Sequence, residues 1–207
     1  MPYGPDLSII SLDEYRTLLK RSTLLPGRRM LLDRIDENFV ALSAQKIETL
    51  AQLRGQLSAP KKLAALAGAT GISEEYLILL KREMGSLEQK PVPLSSFPQI
   101  DARLIAELAD SGIRNSRDYF ERDCANSEEL ACLCDLVRIN GVGAVAAKAF
   151  FEAGFRSVAD VASASAAGML QKVSAVNQQH NYYRAQLGEK DMQFCIDSAN
   201  LLLKYSR

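Results

Sequence analysis

Apolar residues recur along this chain at intervals of three and four, and they almost never alternate strictly with polar ones. That period belongs to amphipathic helices, and without a sustained period of two no strand is predicted. Ser11-Leu-Asp-Glu14 reads as a capping box that opens a helix running to about Arg21. Pro26-Gly27 interrupts the pattern. Leu31, Leu32, Ile35, Phe39 and Leu42 then predict the apolar stripe of one longer helix. Pro60 suits the first turn of a helix through Lys61–Ala69. Gly71-Ile-Ser73 closes that helix and caps another, Glu74–Met84. Met192, Cys195, Ile196, Ala199, Leu202 and Leu203 predict a docked final helix. Leu87–Pro98 holds three prolines and two serines without helical period, so it predicts an extended connector. The chain is divided there into an N-terminal helical domain, 1–90, and a C-terminal domain, 91–207.

Three segments share one local grammar without a gap: Lys46–Leu53, Gly112–Tyr119 and Gly154–Val161. In each, a large apolar residue (Ile47, Ile113 or Phe155) follows a predicted helix end. Two residues later comes an N-cap, Thr49, Asn115 or Ser157. Three further on stands Gln52, Asp118 or Asp160, placed to complete a capping box. Gly112 and Gly154 fit the left-handed position that ends a helix, and Lys46 fills that slot in the first copy at some cost. The last two copies extend upstream, where Leu94-Ser-Ser-Phe-Pro-Gln-Ile-Asp101 lines up with Leu136-Val-Arg-Ile-Asn-Gly-Val-Gly143. Each unit therefore reads as a lead-in, a tight hairpin, a helix, a stop and a capped next helix.

Leu136–Phe155 resembles the helix-hairpin-helix motif of DNA repair and recombination proteins. The residues that carry the resemblance are the apolar positions Leu136 and Ile139, then Asn140-Gly-Val-Gly143 and the apolar helix after them. The resemblance implies an all-α fold, a SAM-like, DNA-repair-type helical bundle built from tandem helix-hairpin-helix-like repeats. It also implies a hairpin that offers backbone N–H groups to a DNA phosphate. Gly141 and Gly143 would let the backbone turn sharply at the start of a helix, where free amides and the positive dipole end favour an anion. The candidate nucleic-acid-binding residues are Asn140, Gly141, Val142, Gly143, Lys148, Arg138 and Arg156. Such contacts would position DNA without reading bases.

The chain departs from that family in two places. Ala144, Val145 and Ala146 stand where DNA-binding members often carry a basic or hydroxyl residue. In the sister hairpin Gln99 and Asp101 replace both glycines, and the Asp101 carboxylate would repel a phosphate. Three uses remain for the hairpin: packing two helices, contacting a phosphate backbone, or presenting a protein-binding surface. Lys62–Ser73, Cys134–Gly143, Ala153–Asp160 and Asn177 also resemble an uncharacterised bacterial domain of unknown function related to helix-hairpin-helix proteins. That similarity covers most of residues 45–180 and implies no activity. Asp135 and Arg138 fall within it, and their spacing suggests an ion pair that fixes the hairpin. Arg28 and Arg29, just after Pro26-Gly27, form a second candidate anion site, with solvated surface as the plainer reading.

Composition narrows the partners. The 207 residues are 47% hydrophobic and 24% charged, an ordinary globular balance. Twenty-five basic residues offset twenty-five acidic ones. Residues 1–90 carry thirteen basic against eleven acidic side chains, and residues 91–207 carry twelve against fourteen. Neither half is a basic domain, so any phosphate-binding surface would be local. Cys124, Cys132, Cys134 and Cys195 lack zinc-ligand spacing, His180 is the single histidine, and buried reduced thiols are expected. No Ser/His/Asp or Cys/His set can be assembled, so neither an enzyme nor a cofactor is expected. The absence of a long apolar run or a leader-like start argues for a cytoplasmic protein with no membrane partner. The partners this leaves are DNA, through its backbone, or, if the repeats form a structural scaffold, another protein or a second copy of this chain.

Overall fold

Ser11 accepts the Glu14 N–H at 3.1 Å and Glu14 accepts the Ser11 N–H at 3.2 Å, so the first helix begins with a closed capping box. A computed structural model describes residues 2–22, 24, 26–124 and 126–206. Among these residues the regular structure is helical, with two isolated β-bridges. The chain divides into two compact units, Asp6–Leu87 and Glu88–Arg207, and the second includes Met1–Pro5.

The unit Asp6–Leu87 contains α1 (Leu12–Arg21), α2 (Ile35–Ala44), α3 (Leu50–Gln56), α4 (Pro60–Thr70) and α5 (Glu74–Gly85). Leu12, Tyr15, Leu19, Phe39, Leu42, Leu50, Leu53, Leu77 and Leu80 fill its core. The single long helix predicted through Leu31 and Leu42 is not formed. Pro26–Leu32 is a 3-10 helix, and Arg34 then takes a left-handed conformation, φ 50°, before α2 starts. Tertiary bonds explain the break. The Tyr76 hydroxyl donates to the Leu31 carbonyl at 3.0 Å, and Arg28 pairs with Glu83, so α5 holds the tighter segment in place. Leu31, Ile35, Phe39 and Leu42 stay buried, whereas Leu32 leaves the stripe and is exposed.

The second unit contains α6 (Ala102–Asp110), α7 (Ser116–Glu121), α8 (Glu128–Leu136), α9 (Ala144–Glu152), α10 (Val158–Ala162), α11 (Ala166–His180) and α12 (Glu189–Tyr205). Its core gathers residues from every one of these helices, with α6 and α7 adding one each, Leu108 and Tyr119. Met192, Cys195, Ile196, Ala199 and Leu202 of α12 are buried as the spacing predicts, but Leu203 faces solvent. The predicted extended connector also differs in part. Leu94–Ser96 forms a 3-10 turn, and Leu94 and Phe97 are core residues.

The three repeated junctions share one geometry. Lys46, Gly112 and Gly154 all have positive φ, at 61°, 76° and 90°. Ile47, Ile113 and Phe155 are buried after them, and Thr49, Asn115 and Ser157 cap α3, α7 and α10. The side chains three residues beyond the caps reach back to one equivalent amide. Gln52 accepts from Glu48 N–H at 2.6 Å, Asp118 from Arg114 at 3.0 Å and Asp160 from Arg156 at 2.8 Å.

A paired backbone segment locks the first two copies. Leu12 donates to Glu48 and Leu50 to Ile10, and in the same pattern Leu94 donates to Arg114 and Ser116 to Val92. The two upstream turns match as well. Gln99 and Gly141 have φ of 61° and 84°, and Asp101 and Gly143 are the N-caps that follow.

Candidate functional site

The turn Asn140–Gly143 connects α8 to α9. Its shape follows from two apolar anchors, Ile139 and Val142, whose side chains are buried on either side of Gly141. The Val142 N–H closes the turn on the Ile139 carbonyl at 3.1 Å. Gly141 supplies the positive φ, and a β-carbon there would lie 3.1 Å from the Phe194 ring on α12. Asn140 accepts a hydrogen bond from the Gln89 side chain at 2.9 Å. Gly143 is exposed and extended, and α9 begins there without a side-chain cap. The first amides of a helix have no partner within it, so this end of α9 presents free donors.

The three candidate cations do not form a rim around that turn. Arg138 is 5% exposed and its guanidinium is fully engaged. Nε donates to the Tyr3 carbonyl at 2.8 Å, Nη2 reaches the Pro2 carbonyl at 3.4 Å, and Nη1 pairs with Asp135. The expected Asp135–Arg138 ion pair therefore exists, and it anchors residues 2 and 3 as well as the turn. The Arg138 guanidinium also lies 4.0 Å from the centre of the Phe120 ring.

Lys148 is 6% exposed and is held between Glu129 of α8 and Glu152 of α9, with Glu152 at 3.2 Å. Burial opposes its charge, but the two carboxylates outweigh burial and leave its pKa above the ordinary lysine value. Burial likewise opposes the charge on Glu152. Bonds from Tyr182 and Lys148 prevail and hold its carboxyl below the usual range. Arg156 is the most exposed of the three, and its Nη1 donates to Glu128 at 2.9 Å.

The sequence pattern did not single out several residues that shape this region. Phe194 is about half exposed beside Gly141. It lies off the buried Met192–Cys195–Ile196–Ala199 stripe, and that offset was the available signal. Glu129 and Tyr182 carried none, because only tertiary packing brings them to the Lys148 cluster. Glu152, by contrast, stands four residues beyond Lys148 on α9, a spacing that the sequence did show. His180 ends α11, with its ring stacked on Tyr182 at 5.4 Å and Nε2 3.6 Å from Glu152. The four thiols are free, Cys134 and Cys195 buried and the other two partly so. Burial pushes the Cys195 thiol up to about 11 and Cys134 further still. Arg28 of the other unit is tied to Glu83.

Among the described residues, no helix is long and apolar enough to cross a membrane. Residues 102–202 match a family model described as a domain of unknown function (DUF4332). No curated protein and no solved structure matches the chain.

Proposed function

We propose that the unit Glu88–Arg207 is a non-enzymatic binding module of helix-hairpin-helix type whose Asn140–Val145 turn meets a protein partner. One observation carries the choice of partner: Arg138, Lys148 and Arg156 are each paired with a carboxylate of the same unit. Binding to a nucleic-acid backbone draws its affinity from cations free to replace counterions, and charges already neutralised contribute little. What the turn does expose is apolar side chain and free amide. Val145 and Phe194 are 39% and 48% exposed, and α9 starts without a cap. Exposed aromatic and aliphatic groups beside unpaired donors suit a protein segment that brings carbonyl or carboxylate acceptors.

Contact with a phosphate backbone is the second reading, and the uncapped start of α9 favours it. Fluorescence anisotropy with labelled duplex and single-stranded DNA separates the two. The protein reading expects no saturable binding at about 50 mM salt. Tight binding that weakens steeply as salt rises, and that Gly143→Asp abolishes, would overturn it in favour of DNA.

A further inference from the structure

Tyr3 is 2% exposed, although the segment Pro2–Pro5 has no helix or strand of its own. The groups that hold it lie more than a hundred residues along the chain. The Tyr3 hydroxyl and the Ser116 hydroxyl are 2.6 Å apart. Arg138 donates to the Tyr3 and Pro2 carbonyls. Phe120 meets the Tyr3 ring edge-on at 5.9 Å, and the Arg117 guanidinium stands 5.1 Å over its face. The Ser206 hydroxyl donates to the Gly4 carbonyl at 3.3 Å. Residues 2–4 are thus gripped as a ligand is gripped, by side chains contributed from α7, from the residue that follows the α8–Val137 cap, and from the end of the unit.

Ser116 and Arg138 each have a second partner outside the segment. The Ser116 hydroxyl also accepts the Val92 N–H at 2.9 Å, which fixes its oxygen. Arg138 is oriented from below by Asp135 and by the Phe120 ring. Donors held by their own second partners are preorganised, and preorganisation lowers the cost of binding. The occupant is stiffened too, because Pro2 and Pro5 restrict the backbone on both sides of Tyr3.

We propose that Ser116, Phe120 and Arg138 form a peptide site for an extended, tyrosine-bearing segment, filled in cis by Pro2–Pro5 and able to take the same chemistry from another chain. The tyrosine is read at its hydroxyl by Ser116 and at its carbonyl by Arg138, while the ring is enclosed by Phe120 and Arg117. Tethering gives the resident segment a high local concentration, so a competing segment enters only where the resident one is displaced or missing. The proposal does not rest on the Asn140–Val145 turn, and a turn that bound DNA would leave it standing.

The test uses the full chain with residues 2–5 deleted and the blocked peptide Pro-Tyr-Gly-Pro. The peptide is expected to raise the melting temperature of the deleted chain saturably and to leave the unaltered chain unchanged, because its site is filled. Pro-Phe-Gly-Pro should bind about tenfold more weakly, for want of one buried hydrogen bond. Pro-Ala-Gly-Pro should have no effect. A folded deletion variant that ignores the tyrosine peptide, or responds equally to the alanine one, overturns the proposal. Should the deletion variant not fold, Tyr3→Ala in the full chain takes its place. Without the ring and hydroxyl its own segment is easily displaced. The variant is therefore expected to melt lower than the unaltered chain and to be rescued by the peptide in excess, and failure of either result also overturns the proposal.

Discussion

The Asp135 carboxylate accepts the backbone N–H of Val158 at 2.8 Å, the place that a main-chain carbonyl holds at the other two junctions. There Leu50 donates to the Ile10 carbonyl at 3.0 Å and Ser116 to the Val92 carbonyl at 2.8 Å. All three donors are the first residue of the capped helix. Among the described residues no extended segment pairs with the third copy, and one side chain of α8 takes the place of that strand of backbone. The other Asp135 oxygen neutralises Arg138.

Replacing Asp135 should therefore cost more than an ordinary surface charge. Asp135→Ala strands a buried guanidinium and the Val158 amide together, and a loss of about 3 kcal/mol is expected. Asp135→Asn keeps an acceptor for Val158 and removes only the charge, so it should lose about half as much. Urea denaturation followed by circular dichroism measures both. A loss under about 1 kcal/mol for the alanine variant would mean that the junction does not depend on this carboxylate.

Lys46 occupies, at φ 61°, the left-handed slot that glycine fills in the other two copies. Lys46→Gly should stabilise the unit Asp6–Leu87 by about 0.5–1 kcal/mol, because it removes the clash of a β-carbon with the backbone. Gly154→Ala should destabilise the other unit by about 1 kcal/mol, although the added methyl would meet nothing within 4 Å. Opposite signs at equivalent positions are the readout. Equal signs in thermal melts would count against a shared backbone requirement.

The contrast between these two units shows how much was legible in the sequence. The junctions were, down to the side chain at each cap, because a cap, a stop and the apolar residue between them are set by neighbours within eight positions. Even the sister turn could be aligned, and Gln99 takes the positive φ of Gly141 despite its side chain. The break at Arg34 was not legible, since it depends on Tyr76 and Glu83. Nor was the burial of Arg138 and Lys148. Asp135 was readable as a partner of Arg138 and Glu152 stands one turn from Lys148, but the distant groups that bury both cations left no local trace. Glu129 is 19 residues from Lys148, and Tyr3 is 135 from Arg138.

The Lys148 cluster gives a pH dependence with two edges. The Glu152 carboxyl is held below its unfolded value, so its contribution is present above that value, about 4.3, and is lost as pH falls through the folded pKa. Lys148 is held above its unfolded value, so its contribution is complete below about 10.4 and is lost as pH rises through the folded pKa. The stability difference between the unaltered protein and Lys148→Met should be greatest between about pH 5 and 9, at about 2 kcal/mol. It should shrink below about pH 4 and again in strong alkali. A difference independent of pH would show that Lys148 stabilises through its packed methylenes alone.

Gly143 offers the sharpest separation of stability from binding. At the equivalent position Asp101 caps α6, accepting the Arg103 N–H at 2.9 Å, whereas Gly143 leaves α9 uncapped. Gly143→Asp should supply the missing acceptor, and its negative charge suits the dipole at a helix start. A gain of about 1 kcal/mol is expected in urea melts. The same side chain would occupy the free amides and repel an acidic or phosphate group, so any partner that uses them should lose binding. Gly143→Ala adds a methyl in open space at φ −90° and supplies no cap, so it should leave both stability and binding nearly unchanged. If Gly143→Asp stabilises the protein and its binding survives intact, the amides of α9 are not the contact, and the exposed ring of Phe194 becomes the group to replace.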